Sequence, residues 1–292
     1  MFTPDRNSSL RVEISNSGSQ MLLHFYKMNG AGNDFIVIDN RDLSISLDED
    51  TIAALCDRHR GIGADGLLAV EPAEKGADYK FRYYNADGGE AEMCGNGARC
   101  FGFFTAHLSG EEELPGSVSF ETIAGTLTAE IIGDDVRIAM SEPKDLELNC
   151  PASIDGFAGD LHSLNTGVPH VVSFVDDLEN TDVFNHGRAI RNHPHFAPAG
   201  TNANFAKVLS PGHISIRTYE RGVEDETLAC GTGMVASALI HHLLTGAESP
   251  VKVDVEGGDT LTVGFGKIGE SSFANVTLTG PADFVFEGEI EI

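Results

Sequence analysis

The sequence repeats one short pattern, and each copy stands at the start of a run that is apolar on nearly every side. The pattern Cys-Gly-x-Gly occupies residues 94–97 and 230–233, and the apolar runs that follow occupy residues 98–107 and 234–244. A helix that is apolar all round must be buried on most sides. The two copies lie almost half of the chain apart, and each follows a strand-like run and a polar loop. This arrangement predicts an internal duplication in which each half presents one cysteine at a helix N-terminus.

Strand-like runs account for much of the remaining sequence, and most are bounded by glycine, aspartate or proline. They occupy residues 22–27, 35–39, 66–70, 79–84, 127–132, 136–140, 170–175, 204–208, 214–220, 251–255, 261–264 and 273–279. One further helix is predicted at residues 50–58, and the two apolar helices are expected to end at Gly110 and Gly246. We therefore predict a strand-rich α/β (α+β) fold. It would consist of two pseudo-symmetric halves, each a curled, mostly antiparallel sheet around a buried helix, with the active site between them.

Composition shifts divide the chain further. Residues 1–20 are polar and lack the apolar core of a secretory signal, so we predict that they form a flexible N-terminal arm. A proline-containing run near the middle of the sequence marks the boundary between the halves. The first half is predicted to begin at residue 21 and end at residue 140, and it carries Cys94. The second half is predicted over residues 141–280 and carries Cys230.

The charge balance excludes several classes of partner. The 19 Lys and Arg residues against 45 Asp and Glu residues give a formal net charge of −26. A field of this sign repels nucleic-acid phosphates and anionic membrane surfaces. No apolar run approaches the roughly 18 residues of a membrane-spanning helix. The 5 cysteines are an odd number without small-scaffold spacing, which favours free thiols in a reducing compartment. We predict a cytoplasmic protein that binds neither nucleic acid nor a membrane.

The two cysteines suggest a particular chemistry. A thiol at a helix N-terminus lies among unpaired backbone N–H groups, which stabilise anions and can lower a thiol pKa from its usual value of about 8.5. The following glycines let a ligand carboxylate approach those N–H groups. With an amino-acid Cα between Cys94 and Cys230, one thiolate could remove the α-proton while the other thiol protonates the opposite face. The pattern indicates racemisation or epimerisation without a cofactor, because no lysine has the phosphate-loop context expected of a pyridoxal phosphate enzyme.

Further motifs occur in the order found in one known family. They are Lys-Met-Asn-Gly-Ala-Gly-Asn-Asp-Phe at residues 27–35, Asp-Arg-His-Arg-Gly-Ile-Gly-Ala-Asp-Gly at 57–66, Asn-Ala-Asp-Gly at 85–88, Met-Cys-Gly-Asn-Gly-Ala-Arg-Cys at 93–100, Gly-Thr-Asn at 200–202, Tyr-Glu-Arg-Gly at 219–222 and Ala-Cys-Gly-Thr-Gly at 229–233. With them the chain resembles the diaminopimelate epimerase family from about residue 21 to the C-terminus. Several separate motifs in one shared order are specific, whereas any one alone would not be.

The resemblance implies conversion of LL-2,6-diaminopimelate to the meso form, in lysine and peptidoglycan-precursor biosynthesis, by a homodimer. It also implies that residues 281–292 return to the first half. Cys94 and Cys230 match the acid/base pair of the family, and His170 and Glu220 match positions that could tune the pKa values of the thiols. The residues that match substrate-binding positions are Asn33, Asn85, Gly95, Asn96, Asn202, Glu220, Arg221, Gly231 and Thr232. An ammonium and a carboxylate at the far end of the substrate would require an acidic and a guanidinium group, as Glu220 and Arg221 supply.

Two positions depart from the commonest family pattern. Val168 precedes Pro-His where many members have Asn, and Gly66 follows Asp where many have Gln. Both departures remove a polar side chain at the distal end of the substrate.

Other patterns favour structural roles. Cys56, Cys100 and Cys150 are expected to be packing residues. Residues 61–66 read Gly-x-Gly-x-x-Gly, but the run follows a helix and leads into a strand, which is the reverse of a dinucleotide site. The histidines at 186, 193, 195, 241 and 242 lack metal-binding spacing, so we predict no metal.

Three other functions remain open from the residues alone. A proline or hydroxyproline racemase would share the paired cysteines. Its substrate, however, would have no distal ammonium for Glu220 and no distal carboxylate for Arg221. A non-catalytic amino-acid binder would keep its function after Cys94 or Cys230 is replaced by serine. A thiol redox switch would lose only its redox response.

Overall fold

The computed structural model describes residues 21–91, 93–108, 110, 114–123 and 125–292. The N-terminal arm predicted over residues 1–20 lies outside the described residues. The strands, in chain order, are β1 Leu22–Gly30, β2 Asn33–Asp39, β3 Gly66–Pro72, β4 Tyr79–Asn85, β5 Glu90–Ala91, β6 Ser117–Thr122, β7 Gly125–Ile132, β8 Asp135–Ala139, β9 Lys144–Glu147, β10 His162–Asn165, β11 Pro169–Phe174, β12 Asn202–Ser210, β13 His213–Glu220, β14 Asp225–Thr227, β15 Val251–Asp254, β16 Thr260–Lys267, β17 Phe273–Pro281 and β18 Asp283–Glu291.

Four α-helices and one short 3₁₀ helix (Pro194–Phe196) accompany these strands in the described part of the chain. The α-helices are α1 Glu49–Cys56, α2 Gly95–Leu108, α3 Val183–Arg191 and α4 Gly231–Thr245. The helix predicted at residues 50–58 is therefore α1, which ends two residues earlier than expected. None of the helices so described has the length and apolar character that a membrane crossing requires.

The described residues form two compact units. The first contains the described residues up to Ile138 together with Pro281–Ile292, and the second contains Ala139–Gly280. Each unit is strand-rich and has its own packed apolar core.

The first unit is a mixed sheet with mostly antiparallel pairings. Strand β1 pairs with β18 on one side and with β2 on the other, both antiparallel. From β2 the order continues through β3 (parallel), β4 (antiparallel), β6 (parallel), β7 and β8 (both antiparallel), with short β5 on β4.

The second unit repeats this order strand for strand. Strand β10 pairs antiparallel with β9 and β11, and the order continues through β12 (parallel), β13 (antiparallel), β15 (parallel), β16 and β17 (both antiparallel), with short β14 on β13. The predicted duplication into pseudo-symmetric halves is confirmed by this repetition.

One helix lies inside the sheet of each unit. Helix α2 contacts β1, β2, β3, β4, β6 and β7, and α4 contacts β10, β11, β12, β13, β15 and β16. Every residue of α2 from Asn96 to Ala106 is buried, as is every residue of α4 from Gly233 to His241. The sheet thus curls around its helix, as the apolar sequences predicted. Close packing needs Gly102, since a Cβ there would lie 2.3 Å from the Cβ of Ala129 on β7.

The ends of the helices follow from local chemistry. Helix α4 ends at Gly246, which has φ 75° and donates its N–H to the carbonyl of His242, as predicted for a glycine C-cap. Asp48 and Asp182 cap α1 and α3 by accepting from the backbone N–H groups of Thr51 and Asn185.

Candidate active site

The first unit places Cys94 directly before the buried helix α2. The Cys94 carbonyl accepts from the N–H of Ala98 at 2.7 Å, so the helix begins beside the thiol. The Sγ atom lies 3.6 Å from Oδ1 of Asn33, at the start of β2, and Asn96 Nδ2 donates to the same oxygen at 3.4 Å. A Cβ added to Gly95 would meet no atom within 4 Å. The structure therefore brings Cys94, Asn33, Gly95 and Asn96 together, with open space at the first residue of the helix.

A network of charged groups orients Asn33. Its Nδ2 donates to Asp65 Oδ2 at 2.5 Å. Arg58 donates to Asp65 Oδ1 at 2.6 Å and to both carboxylate oxygens of Asp34, at 2.7 and 3.0 Å. Since Nδ2 of Asn33 is held by a carboxylate, its Oδ1 is turned toward the thiol and is an acceptor there.

Asp34 is the centre of this network. The nearly buried ammonium of Lys27 lies 2.6 Å from its carboxylate and also donates to the carbonyl of Gly63. Burial alone would raise the pKa of Asp34, but the hydrogen bonds and charges of Arg58 and Lys27 outweigh it and hold that pKa well below its usual range. Asp34 is therefore ionised at neutral pH and fixes the entry to β2.

Asn85 is the last residue of β4 and is exposed. Its backbone N–H donates to the carbonyl of Gly89 at 2.9 Å, and its carbonyl accepts from Gly88 at 2.9 Å. Its Oδ1 accepts a hydrogen bond from the Tyr83 hydroxyl at 2.8 Å. Gly66, the first residue of β3, is its partner in the strand register.

The second unit places Cys230 at the N-cap of α4. It has extended backbone angles (φ −124°, ψ 107°), and its side chain makes no capping hydrogen bond to the helix. Its carbonyl accepts from the N–H of Met234 at 3.0 Å. The thiol is 7% exposed, and its Sγ lies 3.7 Å from Oγ1 of Thr232. Thr166, fully buried, donates to the Thr232 carbonyl at 2.8 Å and so holds the first turn in place.

Buried His170 supports Thr232. Asn204 Nδ2 lies 3.1 Å from His170 Nδ1, and Nε2 lies 2.8 Å from Thr232 Oγ1. The orientation of the Asn204 amide is fixed, because its Nδ2 also donates to Val171 O at 2.9 Å and its Oδ1 accepts from Thr218 Oγ1 at 3.0 Å. His170 Nδ1 must therefore accept, which puts the proton of the neutral ring on Nε2.

The ring of His170 remains neutral over a wide pH range. Burial, followed by the charge of Arg221, lowers the pKa of His170 from 6.5 to about 3. Its Nε2–H donates to Thr232 Oγ1, which leaves the hydroxyl hydrogen of Thr232 available to the Cys230 sulfur. His170 is thus connected to Cys230 through the hydroxyl of Thr232.

Asn202, Glu220 and Arg221 lie at adjoining strand ends. Asn202 Oδ1 accepts from the backbone N–H of Arg221 at 2.7 Å, and its Nδ2 lies 3.4 Å from His170 Nε2. The Arg221 guanidinium donates to the carbonyl of Ala199 at 3.0 Å. Glu220 Oε2 accepts from the hydroxyl of Thr227 at 3.0 Å. These three predicted residues therefore share one end of the sheet in the second unit with His170.

The histidines outside these two sites give little support for a metal site. One group in the described part of the chain, Glu147, Cys150 and His195, brings metal-binding atom types within 4.8 Å of one another. His195 Nε2 is already hydrogen-bonded to Glu147 Oε2 at 3.0 Å, and burial raises the pKa of the Cys150 thiol, which disfavours the thiolate that binds metals. His241 and His242 each place a ring nitrogen on a backbone carbonyl.

Sequence reasoning missed several members of these sites, among them Asn204, Tyr83 and Thr218. Asn204 and Tyr83 lie within strands, and Thr218 faces Asn204 from the neighbouring strand. The available signal was the alternation of side chains along β4 and β12: residues two apart from a predicted site residue share its face. That spacing links Tyr83 to Asn85 and Asn204 to Asn202.

Comparison with known proteins identifies the family. The diaminopimelate epimerase family model matches residues 25–145 and 162–285. A diaminopimelate epimerase of Chlorobaculum tepidum is 44% identical over 267 residues, which covers 91% of this chain and 100% of the relative.

Solved structures at low identity share the fold. A Bacillus anthracis phenazine biosynthesis protein of the PhzF family has a TM-score of 0.69 at 16% identity, covering 93% of this chain and 99% of that one. A probable proline racemase from Agrobacterium radiobacter has a TM-score of 0.63 at 17% identity, covering 92% of each chain. With its duplicated fold and two thiol-bearing helix ends, this protein is an isomerase. It belongs to the diaminopimelate epimerase family.

Proposed function

We propose that the protein converts LL-2,6-diaminopimelate to meso-diaminopimelate without a cofactor, and that Cys94 and Cys230 are the two acid/base groups. The observation that carries the proposal is the repeated Cys-Gly-x-Gly helix start, with a polar partner beside each sulfur. Those partners are Asn33 Oδ1, 3.6 Å from one Sγ, and Thr232 Oγ1, 3.7 Å from the other.

The reaction moves two protons and changes no oxidation state. One cysteine, as thiolate, takes the α-proton of the substrate and becomes a thiol. The electron pair of the broken C–H bond delocalises into the adjacent carboxylate, which gives an enolate-like carbanion. The other cysteine then protonates the opposite face and becomes a thiolate, so the stereocentre is inverted. Proton exchange with water restores the starting protonation state of the pair.

Backbone N–H groups at the two helix starts would stabilise the carbanion. The N–H groups of residues 95, 96, 231 and 232 belong to the first turns of α2 and α4, where backbone N–H groups point out of the helix end. A carboxylate placed there meets several donors and the positive end of the helix dipole. The space beside Gly95 supports this assignment, because a Cβ there would meet no atom within 4 Å.

The far end of the substrate carries a second ammonium and a second carboxylate. We assign the ammonium to Glu220 and the carboxylate to Arg221, with the amides of Asn33, Asn85 and Asn202 as further polar partners. This set favours diaminopimelate over proline, since proline has no distal charges to satisfy these groups. When a ligand without distal charges binds, Glu220 and Arg221 gain no partner in it, and the binding of that ligand is weaker.

The cellular setting is also part of the proposal. The 5 cysteines are an odd number without the spacing of a small disulfide scaffold, which supports a reducing compartment such as the cytoplasm. A homodimer, a role in lysine and peptidoglycan-precursor synthesis, and a first domain over residues 21–140 with 281–292 follow from the family resemblance.

The proposal is tested by proton exchange. Freshly reduced protein is incubated in D₂O with LL-diaminopimelate and, separately, with L-proline, and both are followed by proton NMR. Loss of one α-proton signal with appearance of meso product is expected for diaminopimelate only. Exchange on proline alone would refute the substrate, and no exchange on either, with the thiols titrated as free, would refute the enzyme.

A further inference from the structure

Gly66 and Tyr83 occupy one face of neighbouring strands near the end of the first unit's sheet. Strands β3 and β4 are antiparallel, with Gly66 opposite Asn85 and Leu68 opposite Tyr83. Tyr83 and Asn85 are two residues apart, so their side chains lie on the same face of β4. Gly66 provides no side chain on that face, and the ring of Tyr83 fills the space instead.

The fit between Gly66 and Tyr83 is close. A Cβ on Gly66 would lie 2.8 Å from Cε2 of the Tyr83 ring and 2.5 Å from the carbonyl oxygen of Tyr84. Both distances are well inside ordinary van der Waals contact. The ring also packs edge-on against Phe35, with centroids 6.1 Å apart, and the residue is 9% exposed. Gly66 and Phe35 therefore confine the Tyr83 ring, which extends past Gly66 toward the end of the strand.

This position brings the hydroxyl of a nearly buried tyrosine to an exposed amide. The Tyr83 hydroxyl donates to Oδ1 of Asn85 at 2.8 Å. Backbone hydrogen bonds to Gly88 and Gly89 already fix the main chain of Asn85. An amide whose oxygen accepts from a fixed donor has a defined orientation, with its Nδ2 hydrogens turned away from that donor. The group that Asn85 offers to a ligand is then an N–H donor, which suits a carboxylate and not an ammonium.

The corresponding position in the second unit differs. Strand β3 begins at Gly66, which pairs in parallel with Phe35 on β2, and β12 begins at Asn202, which pairs in parallel with His170 on β11. Asn202 uses its own amide to contact the neighbouring strand end. The first unit has no side chain at the matching position, and the phenol from β4 supplies the polar atom there.

We propose that Tyr83 is a positioning residue for substrate recognition: its hydroxyl, admitted by Gly66, orients Asn85 to donate to a substrate carboxylate. The inference rests on the proposed function, because it assumes that Asn85 binds diaminopimelate. It names a specificity-determining residue that packs against Gly66, one of the two positions that depart from the commonest family pattern. Tyr83 acts through Asn85 and does not contact the substrate.

A double-mutant cycle tests the proposal. Steady-state kinetics with LL-diaminopimelate are compared for the wild type, Tyr83→Phe, Asn85→Ala and the double variant. Loss of one neutral hydrogen bond is expected to raise the KM of Tyr83→Phe by about three- to tenfold. The kcat should stay the same, because Asn85 binds ground state and transition state alike. In the Asn85→Ala background the tyrosine substitution should have no further effect on KM.

Tyr84→Phe is the matched control. Tyr84 precedes Asn85 on the opposite face of β4, and its ring lies 5.4 Å from the guanidinium carbon of Arg82. Loss of its hydroxyl is expected to leave KM unchanged. Thermal unfolding of each variant separates positioning from packing, since a merely structural hydroxyl would lower the Tm without moving KM.

The outcomes are distinct. An unchanged KM in Tyr83→Phe overturns the inference, and so does a rise in KM that persists at full size in the Asn85→Ala background. An unchanged KM in Asn85→Ala also overturns it, while the wild-type activity leaves the proposed reaction standing. A wild type that does not turn over diaminopimelate overturns the proposed function itself, and this inference with it.

Discussion

His170 should make the protein lose stability as the pH falls below 6.5. Burial lowers the pKa of this histidine from 6.5 to about 3. Its folded-state pKa lies below its unfolded-state pKa. Above pH 6.5 the ring is therefore neutral in both states, and the full stability of the protein is present. Below pH 6.5 the unfolded chain binds a proton at this histidine and the folded protein does not. The free energy of unfolding therefore decreases until the pH reaches the folded-state pKa. With 1.36 kcal/mol per pKa unit, the loss between pH 7 and pH 5 is about 2 kcal/mol.

The assay compares the wild type with His170→Gln, which cannot be protonated at that position. The urea-unfolding free energy of each is measured at pH 7, 6 and 5, so that contributions from the many carboxylates cancel in the difference. The stability advantage of the wild type should shrink by about 2 kcal/mol between pH 7 and pH 5. Histidine NMR should show a neutral ring protonated at Nε2 throughout. Equal loss of stability in both proteins, or a His170 titration midpoint near 6.5, would refute the reasoning.

Three further substitutions test the surroundings of the two thiols. Thr232→Val removes the hydroxyl beside the Sγ atom of Cys230, so kcat and the rate at which iodoacetamide alkylates Cys230 should both fall. Thr232→Ser keeps the hydroxyl and should keep both rates. Equal rates in the two variants would contradict a role for the hydroxyl. Gly233→Ala would place a Cβ 2.3 Å from Asn204 Oδ1, and we expect a loss of about 1–3 kcal/mol in urea unfolding together with reduced activity; wild-type stability would show that the contact relaxes freely. Asp34→Asn leaves the ammonium of Lys27 buried without its carboxylate and should cost about 3 kcal/mol of unfolding free energy; a cost below about 0.5 kcal/mol would show that other groups compensate.

The duplicated architecture could be predicted because the same local pattern occurs twice in the sequence. The Cys-Gly-x-Gly starts, the apolar helices and the glycine at the end of α4 are all local signals, and each specifies its feature without reference to the rest of the chain. Strands β5, β6, β9, β10, β14 and β18 and helix α3 were not predicted. Strand β18 contains a short apolar run, Phe284–Phe286, continues with a glutamate at every second position, and is a strand because it pairs with β1. Helix α3 has a polar outer face, and its apolar residues become a pattern only when they pack against β12 and β13.

The candidate site divides in the same way. Its chemistry-bearing residues stand in recognisable motifs, so Cys94, Cys230 and their neighbours could be selected from the sequence. Their supports could be predicted only in part. Alternation along a strand places Tyr83 and Asn204 on the same faces as Asn85 and Asn202, but the sequence does not say which residues of neighbouring strands they meet. The contact of Asn204 with His170, and the packing of Tyr83 against Gly66, depend on strand register. That register is set by the packing of the whole sheet.

The central claim is that two thiols act on opposite faces of one carbon, and early isotope exchange tests it most directly. The enzyme is run in D₂O with LL-diaminopimelate and stopped at low conversion, and the deuterium content of the substrate and the product is measured separately by mass spectrometry. If Cys94 and Cys230 are the two bases, the meso product carries one solvent deuterium while the recovered LL substrate remains almost fully protiated. Deuterium that enters the recovered substrate as fast as product forms would indicate a single base and would contradict the account.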